Sequence, residues 1–169
     1  MDAATLRDIQ APLKERYSSD PDQARTPLRA RGHIGHGITC TVDGWAGPVR
    51  AGLHRATGGT GTDACSGDML LQALVACAGV TLRSVATAMG LTLRSARLQA
   101  EGMFDARGAL GVDRSVPVGV QDVVVTVDVD TDADDEALAR LARSTERYCA
   151  VGQSLRDRPR IAVRRAAGG

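Results

Sequence analysis

The sequence has 169 residues, a length typical of one domain that buries a substantial core. Its 21 basic and 20 acidic side chains nearly balance, so no surface of one sign is expected to attract nucleic acid or an anionic membrane. One Trp, two Tyr and one Phe are too few for a platform that stacks nucleobases. We therefore expect a globular protein that binds neither nucleic acid nor membranes.

The first predicted element is an amphipathic helix over residues 3–17. Apolar side chains recur there at helical spacing: Leu6, Ile9, Leu13 and Tyr17. Pro21 cannot continue a helix and disfavours helix in the residue before it, so the helix is expected to end by that point. We take residues 1–24 as an N-terminal helical extension and residues 25–169 as a single domain.

Residues 24–55 predict three short antiparallel strands in a meander. Apolar and polar side chains alternate over three runs, which is typical of half-buried strands. The apolar members of these runs are Leu28, Ala30, Ile34, Ile38, Cys40, Val42, Val49, Ala51 and Leu53. The glycine-containing segments 35–37 and 43–44 fit the turns between the strands.

The most apolar stretch of the chain follows the meander. A glycine-rich polar loop, residues 58–68, leads into residues 69–89, whose side chains leave almost no polar face. A helix that is apolar all round is usually buried. The stretch looks too short and too often interrupted for a membrane span. We interpret it as the central buried helix of a soluble protein.

The remaining chain predicts two more strands, a helix and a last strand. Residues 91–104 and 123–129 alternate with period two, and residues 158–165 do so again near the end. Between the last two strands, the acidic segment 131–136 opens a helix with one apolar stripe that ends at Cys149. The order α-βββ-α-ββ-α-β contains no repeated βαβ unit and therefore favours the α+β class.

The four cysteines are widely spaced, at Cys40, Cys65, Cys77 and Cys149, and form no Cys-x-x-Cys pair. The N-terminus has no basic patch followed by an apolar run, so a cytoplasmic location with reduced thiols is expected. Periodicity places Cys77 and Cys149 on core-facing helix surfaces. Burial as small apolar residues and a redox role are both open at this point. Cys40 fits a core position of a strand, and Cys65 fits a loop thiol or an additional reactive one.

No metal or cofactor site is expected. His33 and His36 lie three residues apart in or beside a strand, so their side chains point to opposite faces. The glycine-rich segment 58–61 lacks the Gly-Lys-Ser/Thr ending of a phosphate-binding loop.

Three segments resemble the OsmC/Ohr family of thiol peroxidases. The first contains Gly61-Thr62, an acidic residue that opens a helix, Leu70-Leu71 and Val75-Ala76-Cys77. The second contains Glu101-Gly102 and Asp105-Ala106-Arg107-Gly108, and the third runs from Glu146 through Cys149 to Leu155. The resemblance spans roughly residues 25–165.

This resemblance implies an OsmC-like α+β fold in an intertwined homodimer, with antiparallel sheets of both subunits wrapped around the central helices. It also implies reduction of organic hydroperoxides by two thiols. Cys77 would attack the peroxide and become a sulfenic acid, and Cys149 would condense with it to a disulfide. An external dithiol would then reduce that disulfide.

The resemblance further implies an arginine and an acid beside the reactive thiol. Arg55 stands where the family's arginine is expected, where it would hold the Cys77 thiolate and orient the peroxide. The family has Asn-Pro-Glu where this chain has the longer segment 63–68, so the acid is either Asp68, which we favour, or Asp63. Ala150 follows Cys149 in place of the family's proline. These departures leave an alternative function, a non-catalytic small-molecule-binding or stress-related protein with structural thiols.

Overall fold

The computed structural model describes residues 1–166. Contacts divide the chain into two compact units. Unit 1 contains Met1–Pro27, Leu74–Ala100 and the chain from Val124 onward, and unit 2 contains Leu28–Ala73 and Glu101–Val123. The predicted boundary after residue 24 is a different division and stays a prediction.

The N-terminal helix is confirmed, with bounds Ala3–Ser19 (α1). The Asp2 side chain caps it by accepting a hydrogen bond from the Thr5 N–H at 2.8 Å. A short 3-10 helix, Pro21–Ala24, follows at the proline that was expected to end α1. No residue of α1 is buried, so its apolar stripe is left without a full cover within the described chain.

The predicted meander is also confirmed, in unit 2. Its strands are β1 (Gly32–Ile34), β2 (Thr39–Gly44) and β3 (Gly47–Gly52), paired antiparallel in that order. The β2–β3 turn lies at residues 45–46, just beyond the predicted 43–44. A fourth strand, β4 (Ala64–Cys65), pairs parallel with β3. Two residues are too few to produce a detectable alternation, so the sequence did not predict β4.

Unit 2 has no apolar core of its own. Every buried apolar residue among the described ones belongs to unit 1. Large apolar side chains of the meander stay exposed, among them Leu28 at 93%, Ile34 at 86% and Ile38 at 74%. A small sheet needs a layer packed on one face for stability, so this unit is incomplete as a single chain.

Unit 1 holds the core, between helices and a three-stranded sheet. The remaining elements of the whole chain are α2 (Ser66–Ala88), β5 (Ser95–Met103), α3 (Ala106–Ala109), β6 (Gln121–Asp130), α4 (Asp135–Tyr148), α5 (Ala150–Ser154) and β7 (Arg160–Arg165). Of these, α3 belongs to unit 2, as do the start of α2, the end of β5 and the start of β6. The sheet order is β5-β6-β7, and β6 runs parallel to β7 with Val125 opposite Ile161. Alternation in β6 buries Val125, Val127 and Val129 completely. The helix α4 packs on β7 and buries Leu138 and Leu141.

The central helix differs from its prediction in how it is buried. Within the single chain α2 buries one stripe, Leu74, Ala78, Leu82 and Ala86, and Val80 is 74% exposed. At 23 residues α2 is long and apolar enough to cross a membrane by length and composition, so the length argument against a span was wrong. One such helix is weak evidence, because the core helix of a soluble protein meets the same criterion. The buried stripe is the remaining argument for a core helix.

Candidate functional site: a pair of thiols in unit 1

The helix α2 places Cys77 at the edge of the unit 1 core. Its neighbours Leu74 and Ala78 are fully buried, whereas Cys77 itself is half-buried. Thr81 lies one helical turn further along the same face and donates its hydroxyl hydrogen bond to the Cys77 sulfur. A half-buried sulfur keeps one side available to a small reactant while the other side is held by the core.

Cys149 lies at the break between α4 and α5. The Cys149 N–H closes the last turn of α4 by donating to the Thr145 carbonyl at 2.9 Å. The Cys149 backbone then becomes extended, with ψ of 99°, and its sulfur accepts a hydrogen bond from the Gly152 N–H at 3.4 Å. Cys149 is fully buried. A residue that ends one helix and caps the next is held in a single position.

Glu146 ties this break to the sheet. One of its carboxylate oxygens, Oε1, accepts the Ile161 N–H of β7 at 2.7 Å. Its backbone carbonyl accepts a hydrogen bond from the Gln153 side chain at 2.7 Å. Hydrogen bonds to a partly buried carboxylate are stronger than those between neutral groups. Glu146 therefore positions Cys149 from both sides of the break.

The α4–α5 break brings Cys149 to Cys77. The Val151 N–H donates to the Cys77 sulfur at 3.5 Å. The Cys149 thiol is also hydrogen-bonded to Cys77. Both cysteines are free in the structure. The fold thus brings together two thiols that are far apart in the sequence.

The environment separates the pKa values of the two thiols. Burial raises the pKa of Cys77, but hydrogen bonds from the Val151 N–H, the Cys149 thiol, the Thr81 hydroxyl and the Ala150 N–H outweigh burial, and the pKa lies below the ordinary thiol value. For Cys149, burial is the largest effect and raises the pKa; the neighbouring Cys77 thiolate raises it further. Cys77 is therefore the thiol that ionises first, and Cys149 stays protonated and donates to it.

Arg55 belongs to unit 2, at the start of a 3-10 helix, Arg55–Thr57. The His54 ring caps this helix by accepting the Ala56 N–H at 3.1 Å. The Arg55 side chain lies against Gly61, where an added Cβ would meet the Arg55 Nε at 2.2 Å. Gly61 also has a φ of +78°, a conformation that favours glycine. The glycine-rich loop thus makes room for the Arg55 guanidinium.

The two candidate acids are also in unit 2 and differ in their partners. Asp63 forms an ion pair with Arg50, at 3.0 Å between the Arg50 Nε and the carboxylate. Asp68 lies in the first turn of α2 and forms no ion pair within residues 1–166. Asp68 is therefore the carboxylate that stays available to another arginine. The roles of Arg55 and Asp68 beside Cys77 stay predictions.

The other cysteines lie in the sheet of unit 2. Cys40 is in β2, opposite Ala51, and Cys65 is in β4, opposite Gly52. Among the described residues no group of three or more His, Cys, Asp or Glu side chains is arranged to hold a metal ion.

Two groups that contact the Cys77 sulfur were not predicted from the sequence, the Thr81 hydroxyl and the Val151 N–H. The spacing of four residues after Cys77 was a usable signal for Thr81, but a backbone group far along the chain is brought in only by the fold.

A family model described as OsmC-like protein matches residues 59–164, well over half of the chain and both cysteines of the pair. The chain belongs to the OsmC-like family. No curated protein matches the sequence.

Solved structures of this OsmC-like fold match at low sequence identity. An OsmC-like protein from Mycoplasma pneumoniae is 12% identical, with a TM-score of 0.67 over 83% of this chain and 96% of that one. An organic hydroperoxide resistance protein OsmC from Legionella pneumophila is 14% identical, with a TM-score of 0.60 over 85% of this chain and 100% of that one. The organic hydroperoxide resistance protein OhrB of Bacillus subtilis is 16% identical, with a TM-score of 0.56 over 80% of this chain and 96% of that one. At these identities the likeness establishes the α+β fold that was predicted.

Proposed function

We propose that this OsmC-like protein is a thiol peroxidase that reduces organic hydroperoxides. The observation that supports it most is the hydrogen-bonded pair of Cys77 and Cys149 with pKa values displaced in opposite directions. A nucleophile that ionises readily beside a protonated second thiol is the arrangement that a two-thiol reduction needs. The names of the Legionella and Bacillus structures point to the same class of substrate.

In the proposed reaction the Cys77 thiolate attacks the outer oxygen of a hydroperoxide. A sulfur–oxygen bond forms, the oxygen–oxygen bond breaks, and the leaving alkoxide takes up the proton that Cys77 released, giving an alcohol. Cys149 then attacks the Cys77 sulfur, so that a disulfide forms and the hydroxide leaves as water with the Cys149 proton. An external dithiol supplies the two electrons and two protons that restore both thiols, as expected in a reducing, cytoplasmic setting.

The first test is single-turnover oxidation. Reduced protein treated with one equivalent of cumene hydroperoxide should lose about 2 Da, with the loss mapped to a disulfide between Cys77 and Cys149. Cys149→Ser should instead gain one oxygen at Cys77, trapped by dimedone. Cys40→Ser is the matched control and should behave as wild type. If Cys77→Ser consumes the peroxide as fast as wild type, the proposal is wrong and the thiols are structural, as in a binding protein of the same fold.

We also propose that Arg55 and Asp68 complete the site. A guanidinium beside Cys77 would stabilise the thiolate, and a carboxylate would hold the guanidinium in place. Arg55→Gln should lower kcat/KM for the hydroperoxide by one to two orders of magnitude, roughly the effect of losing one charged partner. Asp68→Asn should lower it less, and Asp63→Asn should leave it nearly unchanged, because Asp63 is already paired with Arg50. Equal losses in the two aspartate variants would contradict the choice of Asp68.

We further propose that the protein is a homodimer. The sheet of unit 2 lacks a core, and Val80 of α2 is 74% exposed, so a second copy is the simplest cover for both surfaces. Light scattering should give about twice the chain mass of 17.7 kDa. A monomer at micromolar concentration with undiminished peroxidase activity would contradict this part of the proposal and leave the chemistry intact.

A further inference from the structure

A cavity lined by four arginines lies in unit 1 behind the second thiol. Its volume is about 710 Å³, and its walls come from the last turns of α4, from α5 and from the start of β7. The arginines are Arg143, Arg147, Arg158 and Arg160. Cys149 contributes to the wall, and Cys77 does not.

Each of these four arginines is exposed and, like Arg7 and Arg25, has no carboxylate partner within residues 1–166. Arg50, Arg94, Arg107, Arg140, Arg164 and Arg165 each form an ion pair with an aspartate or glutamate. The contrast holds on one helix, because Arg140 of α4 pairs with Glu136 whereas Arg143 and Arg147 of the same helix have no acidic partner.

The single acid in the wall does not neutralise this charge. Glu146 lines the cavity, but its Oε1 accepts the Ile161 N–H at 2.7 Å, and it forms no ion pair with the surrounding arginines. Arg143 and Arg147 are also four residues apart on α4, a spacing at which like charges destabilise a helix. The exposed cluster therefore gathers like charges whose repulsion is screened by salt and would be neutralised by a bound anion.

We propose that this cavity binds a small polyanion with two or more negative charges on phosphate or carboxylate groups. Its volume falls in the range of small-molecule sites, roughly 300–1,000 Å³. Guanidinium groups suit such ligands because their planar fork donates two parallel hydrogen bonds to a phosphate or a carboxylate. Cys149 and Glu146 lie in the wall, but the nucleophile Cys77 and Arg55 take no part, so binding can be measured without any peroxide.

The test is calorimetric titration of the reduced 169-residue protein with inorganic pyrophosphate and, separately, with citrate, at low ionic strength. We expect one site per chain and an affinity that falls steeply between about 50 and 200 mM salt. The better of the two probes identifies phosphate or carboxylate chemistry. The double variant Arg147→Gln/Arg158→Gln should weaken binding at least ten-fold.

A matched double variant supplies the control. Arg7→Gln/Arg25→Gln removes the same charge from two arginines that lie outside the cavity and form no ion pair within the described chain. It should bind the probe as wild type does, and so should Cys77→Ser. Equal weakening in both double variants, or no binding of either probe at millimolar concentration, would overturn the proposal. Circular dichroism of each variant separates lost binding from lost folding. The double variant Arg147→Lys/Arg158→Lys keeps the positive charge but lacks the planar guanidinium, and it should bind the probe with intermediate affinity.

Discussion

Replacing Cys149 by alanine tests the hydrogen bond that joins the two thiols. The Cys149 thiol is one of four donors to the Cys77 sulfur, and its loss should raise the pKa of Cys77. The Val151 nitrogen lies 3.5 Å from the Cys77 sulfur, and Cys77 is only half-buried. We therefore take the central value for a neutral hydrogen bond, about 1 kcal/mol, which corresponds to a roughly five-fold smaller thiolate fraction at neutral pH.

The assay is the pH dependence of iodoacetamide alkylation in a background in which Cys40 and Cys65 are serine. Because only the thiolate reacts, the rate rises with pH and levels off above the pKa of Cys77. Since that pKa lies below the ordinary value of 9.0, the plateau should be reached earlier than for a free thiol. Cys149→Ala should move the plateau to higher pH and slow alkylation at pH 7 about five-fold.

Serine at position 149 is the matched control, because its hydroxyl keeps a donor at the same place. Cys149→Ser should therefore retain most of the early ionisation of Cys77. The same alkylation rate in Cys149→Ala and wild type at pH 7 would refute the reasoning, as would a wild-type protein in which Cys149 is alkylated before Cys77. In that case the opposite pKa displacements of the two thiols would have no role in the chemistry.

Three further predictions address the framework of the site. Glu146→Gln, which keeps an acceptor for the β7 N–H without its charge, should lower the free energy of unfolding in urea by about 1 kcal/mol; Glu136→Gln, on the exposed side of α4, should change it by less than about 0.5 kcal/mol. Gly61→Ala should lower peroxidase kcat/KM more than Arg55→Lys does. The added Cβ at residue 61 collides with the Arg55 side chain, and residue 61 has a φ of +78°, which favours glycine. Wild-type activity of Gly61→Ala would contradict the placement of that loop. Val80→Asp should shift light scattering towards the monomer mass, and an unchanged dimer would show that α2 is not at the interface.

Much of the fold was predictable because local patterns and local packing agree. The alternation in residues 123–129 predicted β6, and three of its valines are fully buried on one face. Cys149 is buried as expected, although it lies just beyond α4 and not on the helix itself. The short elements β4, α3 and α5 were missed, because two to five residues are too few to show a period.

The sequence by itself selected Cys77 and Cys149 as the candidate thiols and placed both on apolar helix stripes. Periodicity alone put Cys77 and Cys149 on core-facing surfaces, because the side chains of a helix repeat every 3.6 residues whatever surrounds them. Only the tertiary structure decided that these two sulfurs meet. That contact depends on the chain becoming extended at Cys149, on Glu146 holding the break to β7, and on the Val151 N–H reaching a sulfur far away in sequence. Such donors leave no local pattern, since any residue except proline supplies a backbone N–H, and the fold alone selects which one is used.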